Sequence, residues 1–193
     1  MQTIPMSQAH FDGKYEVEFK YRLQDRDSFL ARLHSLPHQV MLKDNVEFDR
    51  YYDTQAGSLA QESKHLCLRE MRPSDIKLWI VKGPASQQCQ ATRIDNIDSA
   101  ADMLETMGYE VVLRLTKTRS IYFIDQYHVT VDNLEGLGDF AELAIMTDDE
   151  TQLAHHEQGL LKLAEQLGLR ENDRETNSYR ELMMNSQTVP SPA

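Results

Sequence analysis

The sequence predicts an α+β protein in which an antiparallel sheet curls into a closed barrel with a polar, charged lumen and helices packed outside. Eight or nine segments have strand character, and most are joined by short turns, which favours antiparallel pairing. Many of these strands carry charge on alternate positions, so one face of the sheet would be polar. Three or four helical segments complete the chain and would cover part of the apolar outside of the barrel.

Length and composition indicate one soluble globular domain. The chain has 193 residues, of which 40% are hydrophobic and 26% are charged. Residues 1–13 are polar and aperiodic and read as a flexible arm, residues 14–184 as the domain, and residues 185–193 as a disordered tail.

The charge balance and the apolar runs exclude several classes of partner. A net charge of −11 argues against general nucleic-acid binding, which needs a basic surface. No apolar run approaches the roughly 20 residues of a membrane helix, and the N-terminus lacks the pattern of a signal peptide. Cys67 and Cys89 form no CxxC pair and indicate a reducing compartment. We therefore expect a cytoplasmic protein with no nucleic-acid or membrane partner.

The first strand, about residues 14–23, shows the clearest alternation. Its apolar face carries Tyr15, Val17, Phe19 and Tyr21, and its charged face carries Glu16, Glu18, Lys20 and Arg22. Next-but-one neighbours on a strand are about 7 Å apart, so the two carboxylates can bracket a hard cation such as Mg²⁺. A lysine just beyond them could hold a phosphate bound to that cation.

The remaining elements follow from periodicity and from turn and cap residues. We expect strands at about 46–53, 65–71, 76–82, 89–94, 111–115, 117–124, 127–134 and 139–146. We expect four helices. The first begins at Asp27-Ser28 and stops at Pro37, and the second covers about 98–107 with a capping box of Ser99 and Asp102. The third covers about 148–167 with a capping box of Thr147 and Glu150, and the last begins at Ser178 with Glu181.

Charged residues recur on the later strands as well. Glu142 lies between Ala141 and Leu143 in an otherwise apolar strand, where a carboxylate is costly unless it is paired or bound to metal. A balanced lumen would combine the basic side chains with the acidic ones: Lys20, Arg69, Lys82, Lys117 and Arg119 with Glu16, Glu18, Asp132 and Glu142. From the pattern alone, this set predicts a site for a polyanion and a metal.

Several blocks also resemble a known family. EVEFK (16–20) fits an ExExK motif, and LREM (68–71), LWIVKGP (78–84), KTRSIYF (117–123), HVTVDNLEGLGDFAEL (128–143) and SYREL (178–182) follow in the same order. The chain thereby resembles the CYTH superfamily of triphosphate tunnel enzymes from about residue 14 to residue 182. Within that superfamily it looks most like the bacterial class IV adenylyl cyclases.

The resemblance implies an eight-stranded antiparallel barrel, usually in a homodimer, that converts ATP to 3′,5′-cyclic AMP and pyrophosphate. It implies that Glu16, Glu18 and Glu142 bind Mg²⁺ or Mn²⁺ in a two-metal site, and that Lys20, Arg69, Lys82, Lys117 and Arg119 hold the triphosphate. We expect Lys117 and Arg119 to stabilise the departing pyrophosphate, and Asp132 or a metal-bound water to take the proton.

Two other functions stay open at this point. A triphosphate hydrolase acting on inorganic tripolyphosphate or thiamine triphosphate would use the same charged residues, with water as the attacking group. A non-catalytic module that binds polyphosphate would keep the basic set but has no need of Glu16, Glu18 and Glu142 together.

Overall fold

The computed structural model describes residues 13–188. Residues 1–12 and 189–193, which include nearly all of the predicted arm and part of the predicted tail, lie outside the described residues.

One antiparallel sheet dominates the described part of the chain. Its strands are β1 (Tyr15–Arg22), β2 (Gln39–Thr54), β3 (His65–Arg72), β4 (Ile76–Lys82), β5 (Cys89–Arg93), β6 (Tyr109–Ile124), β7 (Tyr127–Leu134), β8 (Gly138–Thr147) and β9 (Arg174–Glu175). Their order across the sheet is β5-β4-β3-β2-β6-β7-β8-β1-β9. The predicted curled antiparallel sheet is confirmed, with a ninth, two-residue strand beyond the eight that the resemblance implied.

The sheet curls until its two ends meet. Tyr15 in β1 bridges Gln88, the Glu16 N–H donates to the Gln87 carbonyl at 2.7 Å, and the Cys89 N–H donates to the Lys14 carbonyl at 3.1 Å. Further along β1, at residues 20–21, the same edge pairs with β9 instead. The barrel is therefore closed in part, where the sequence predicted full closure, because β1 divides its free edge between two partners.

Helices cover the apolar outside of this sheet in two places. They are α1 (Arg26–Ser35), α2 (Ser58–Gln61), α3 (Ile97–Thr106), α4 (Leu153–Gln166) and α5 (Tyr179–Thr188), with 3₁₀ turns at Glu150–Gln152 and Glu171–Asp173. Helices α1 and α4 pack Leu33 and Leu160 on Val17, Val129 and Leu143 of β1, β7 and β8. Helix α3 packs Leu104 and its neighbours against β2 and β3.

The last helix, α5, differs from the prediction that all helices pack outside. Tyr179 and Leu182 are buried with Leu115, Leu134 and Phe140, which belong to the lumen face of β6, β7 and β8. The helix thus closes one end of the lumen. It begins with the predicted capping box, in which the Ser178 backbone N–H and the Glu181 side chain are 2.7 Å apart.

Cap residues and strand lengths differ in detail from the sequence-based elements. Asn96, not Ser99, caps α3, because its side chain accepts from the N–H groups of residues 98 and 99. Asp149, not Thr147, caps the 3₁₀ turn that precedes α4. The segments predicted as two strands at 111–124 are one strand, β6, and α5 extends to Thr188, into the predicted tail.

The packing of α3 gives a test of the outer core. Leu104 is 0% exposed, whereas its neighbour Met103 is 59% exposed. We expect Leu104→Ala to lower the free energy of unfolding by about 2–5 kcal/mol, because it leaves a cavity, and Met103→Ala to change it by less than about 0.5 kcal/mol. Urea denaturation of both variants measures this, and equal effects would contradict the described packing.

Candidate active site

Strand register sets basic side chains opposite acidic ones inside the curled sheet. Lys20 lies opposite Glu142, Arg119 opposite Asp132, Lys117 opposite Glu47, and Arg69 opposite Asp49. Residues directly opposite on neighbouring antiparallel strands have Cβ atoms about 4.5–5.5 Å apart, so their charged ends can meet. Four of the five predicted phosphate-binding residues are therefore paired by the ladder itself.

Arg119 forms the centre of one group of charges. Its Nε donates to Asp132 Oδ1 at 2.6 Å, and a terminal nitrogen donates to Asp132 Oδ2 and to Glu142. The Tyr179 hydroxyl donates to Asp132 Oδ2 at 2.7 Å, and Lys20 Nζ lies 3.5 Å from Glu142 Oε1. Asp132 is fully buried with both carboxylate oxygens bonded.

A second group joins β2, β3 and β6. Arg69 donates two hydrogen bonds to Asp49, at 2.7 and 2.8 Å, and Lys117 donates to the same carboxylate at 3.0 Å. Lys117 Nζ also lies 2.7 Å from Glu47, which Arg69 approaches to 3.1 Å. Both acids are at most 2% exposed.

Sequence reasoning missed Glu47 and Asp49. The alternation of residues 46–52 signalled a strand with these two residues on one face, but Arg50 on the opposite face left the direction of the lumen open. It also missed Tyr179, since a helix cap says where a helix begins and not which surface it covers.

Lys82 links the two ends of the curled sheet. Its Nζ lies 2.8 Å from Glu16 Oε2 and 3.8 Å from Glu18 Oε2, so β4 meets β1 through charge, whereas residues 87–89 meet β1 through the backbone. His128, which the sequence analysis did not assign to the charged set, places its Nε2 3.7 Å from Glu16 Oε1.

Electrostatics distinguish the three acids that the resemblance assigned to metal. Burial would raise the pKa of Glu142, but the charges of Arg119 and Lys20 lower it to about 2. Burial also opposes the ionisation of Glu16, yet Lys82 and His128 hold its pKa well below the usual value. Glu18 is the exception, because burial and the neighbouring charge of Glu142 raise its pKa.

These carboxylates fit a divalent cation in their chemistry. Hard cations take carboxylate oxygens, and burial together with the charge of Glu142 raises the pKa of Glu18, so a cation beside it would favour its ionised form. In residues 13–188, however, no three acidic, histidine or cysteine side chains are assembled around one point. Lys82, Lys20 and Arg119 occupy the oxygens, so a cation would have to replace part of these contacts.

An opening lies beside the first two acids. A cavity of about 210 Å³ at the edge of β1 is lined by Glu16, Glu18 and Lys82, by Val17 and Phe19 of the opposite face, and by Ser86, Gln87 and Glu157. Two of the three proposed metal-binding acids therefore border an open space.

Comparison with known proteins assigns the family. The CYTH domain profile matches residues 14–179, most of the chain. The chain belongs to the CYTH domain family. This confirms the resemblance that the sequence motifs indicated.

Two relatives and one more distant solved structure match this chain over nearly its whole length. Adenylate cyclase CyaB of Aeromonas hydrophila is 54% identical over 191 residues, which cover 96% of this chain and 100% of that protein. A solved structure from Vibrio parahaemolyticus, which carries a provisional adenylate cyclase name, is 50% identical with a TM-score of 0.88, covering 90% of this chain and 99% of that one. A Hippeastrum protein described with a dominant triphosphatase activity is 17% identical with a TM-score of 0.61, over 91% and 98% of the two chains, and shows the common fold.

No helix within residues 13–188 is long and apolar enough to cross a membrane.

The pKa of Glu142 gives a pH test of the buried network. Its folded-state pKa of about 2 lies below the ordinary 4.5, so its contribution to stability is present above about pH 4.5 and is lost as pH falls toward 2. We expect this to account for on the order of 2–3 kcal/mol. In urea denaturation, the free energy of unfolding should fall less steeply between about pH 5 and pH 3 for Glu142→Gln than for the unmodified protein.

The matched control for this test is Glu105→Gln, on the exposed side of α3. Its free energy of unfolding should depend on pH in the same way as that of the unmodified protein. If Glu142→Gln also loses stability with the same pH slope, the ion pairs of Glu142 do not contribute as described.

Proposed function

We propose that this protein is an adenylyl cyclase, which converts ATP to 3′,5′-cyclic AMP and pyrophosphate. The observation that carries the proposal is a lumen combining five basic side chains with acidic oxygens, in a chain 54% identical to adenylate cyclase CyaB of Aeromonas hydrophila. A triphosphate needs several cations along its length, and this lumen offers Lys20, Arg69, Lys82, Lys117 and Arg119.

In the proposed reaction the ribose 3′-oxygen attacks the α-phosphorus of ATP. The new bond joins O3′ to that phosphorus, the bond to the bridging oxygen of the β-phosphate breaks, and pyrophosphate leaves with the electron pair. The proton of the 3′-hydroxyl passes to solvent water. Lys117 and Arg119 stabilise the negative charge that grows on pyrophosphate, because buried cations act strongly where water is excluded.

For Asp132 we propose a positioning role in place of the proton acceptor that the sequence analysis considered. Arg119 and Tyr179 donate to its two oxygens, so it holds the Arg119 guanidinium in a fixed direction. Burial raises the pKa of Asp132, but a proton from the ribose hydroxyl would have to displace one of these hydrogen bonds.

A divalent cation, Mg²⁺ or Mn²⁺, completes the proposed site, with Glu16, Glu18 and Glu142 as its ligands. When bound, two such ions would supply charge neutralisation on the phosphates and a lower pKa for the attacking hydroxyl. The three acids would hold the ions, and Glu16 and Glu18 border the cavity beside β1.

We also propose that residues 14–184 form one functional domain, flanked by an arm and a tail, that acts as a homodimer in the cytoplasm. Light scattering after size-exclusion chromatography tests the dimer, since a monomer mass at micromolar concentration would contradict it.

A triphosphate hydrolase is the second candidate function. The Hippeastrum protein with dominant triphosphatase activity shares this fold. The charged side chains described above suit phosphates and do not select a nucleoside. The two candidates differ in the attacking oxygen, which is ribose in one and water in the other. A non-catalytic polyphosphate module is disfavoured by the three carboxylates of the proposed metal site.

A product assay separates these functions. We expect the protein, incubated with ATP and Mg²⁺ or Mn²⁺, to release cyclic AMP and pyrophosphate in equal amounts, measured by ion-exchange chromatography. ADP with phosphate, or turnover of tripolyphosphate alone, would assign the hydrolase. Binding of ATP without turnover, unchanged in chelator, would assign the module.

Substitution of one proposed metal ligand tests the site. Glu18→Gln keeps the shape but removes the charge, so we expect cyclic AMP formation to fall by about 100-fold or more while the melting temperature stays close to that of the unmodified protein. Glu105→Gln on the exposed side of α3 serves as the control and should retain full activity. Near-normal activity of Glu18→Gln would remove Glu18 from the proposed ligand set.

A further inference from the structure

Glu47 occupies an unusual position among the basic side chains of the lumen. Its carboxylate is 1% exposed and lies within 2.7 Å of Lys117 Nζ, 3.1 Å of an Arg69 nitrogen and 3.9 Å of Arg119 Nε. Despite these cations, neither of its oxygens receives a hydrogen bond of good geometry in the described structure. Glu47 is held there by charge and not by directed bonds.

Its neighbour Asp49 is held differently. Asp49 accepts two hydrogen bonds from Arg69 and one from Lys117, so it fixes the positions of both. Removing Asp49 would release these two bases. Glu47 instead contributes negative charge at the point where Arg69, Lys117 and Arg119 converge.

That point is where the proposed function needs a phosphate. Arg69, Lys117 and Arg119 are three of the five residues proposed to hold the triphosphate, and an incoming phosphate oxygen would meet the same nitrogens that Glu47 faces. Burial would raise the pKa of Glu47, but Arg69, Lys117 and Arg119 outweigh it and keep the carboxylate ionised. A phosphate chain therefore meets a like charge inside its own binding site.

The charges of the lumen show the effect on the whole site. Six acids, Glu16, Glu18, Glu47, Asp49, Asp132 and Glu142, face five bases, Lys20, Arg69, Lys82, Lys117 and Arg119. With Glu47 the set carries one excess negative charge, and without it the numbers are equal. At separations of about 3 Å in a buried site, one charge changes anion affinity strongly.

We propose that Glu47 is a built-in competitor of the phosphate chain, which weakens the hold of Arg69, Lys117 and Arg119 on pyrophosphate and so sets the rate of its release. This inference rests on the proposed function, because it assigns those three bases to phosphate. Glu47 acts through them and is a positioning residue, since it does not itself bind the substrate.

A purely structural role for Glu47 predicts the opposite result. If Glu47 only held the three bases in place, its loss would disorder them and weaken anion binding. If it competes with the phosphates, its neutralisation strengthens binding. The isosteric change Glu47→Gln separates these two cases.

The experiment is isothermal titration with inorganic pyrophosphate in excess EDTA, so that no metal and no catalysis are involved. We expect Glu47→Gln to bind pyrophosphate about tenfold or more tightly than the unmodified protein. Glu70→Gln, which removes a carboxylate from the outer face of β3, is the matched control and should bind like the unmodified protein. Equal or weaker binding by a folded Glu47→Gln would overturn the inference.

Steady-state kinetics add a readout that a structural role would not produce. In Glu47→Gln we expect KM for ATP and kcat to fall together, because substrate is held more tightly and pyrophosphate leaves more slowly. A rise in KM would count against the inference. The two proposals can fail separately. If the unmodified protein forms no cyclic AMP but Glu47→Gln still binds pyrophosphate more tightly, the cyclase proposal is wrong and the inference about Glu47 stands.

A second variant covers the case in which Glu47→Gln does not fold. Glu47→Asp keeps the charge but withdraws it by one methylene from the three bases. We expect intermediate pyrophosphate affinity and a larger rise in melting temperature on adding pyrophosphate than the unmodified protein shows. An affinity equal to or below that of the unmodified protein would overturn the inference.

Discussion

Pairing of buried charge is the constraint on which the rest of this structure depends. Lys20, Lys117 and Arg119 are each less than 10% exposed, and taking such cations out of water has a large cost that is offset only when an opposite charge lies within contact distance. The sheet meets this requirement through register, since Arg119 faces Asp132 and Arg69 faces Asp49 on neighbouring strands. Where register cannot supply a partner, at the joined ends of the sheet, Lys82 reaches Glu16 across the closure. Curling and charge pairing therefore stabilise each other.

The same strands serve two environments, which explains why the helices lie where they do. Along β1, Val17 and Phe19 face the core under α1 and α4, while Glu18 and Lys20 face the lumen. A shift of the β1–β8 register by one residue would exchange these faces and bury charge among the outer leucines. Packing of the outer helices thus fixes the register that aligns the lumen charges.

Sequence reasoning reached those parts of the fold and site where one face is clearly apolar. In β1 the alternation is unambiguous, so Glu16, Glu18 and Lys20 were assigned to the lumen side, whereas Glu142 was assigned because it is a lone carboxylate in an otherwise apolar strand. In β2 both faces carry charge, because Arg50 alternates with Asp49, and period alone cannot choose between them. Tyr179 depends on contacts with Leu115, Leu134 and Phe140, which are distant in sequence. Partial closure likewise depends on how two remote segments share one strand edge.

Which oxygen attacks the phosphorus depends on more than the charged residues of the lumen. Water attack requires a water molecule in line with the scissile bond. A ribose hydroxyl arrives as part of the substrate and is already close to the α-phosphorus. The basic residues serve either reaction equally, because they contact phosphates in both. The choice between cyclisation and hydrolysis therefore depends on how the protein holds the nucleoside end of the substrate, and that end makes no use of the ion pairs that fix the lumen.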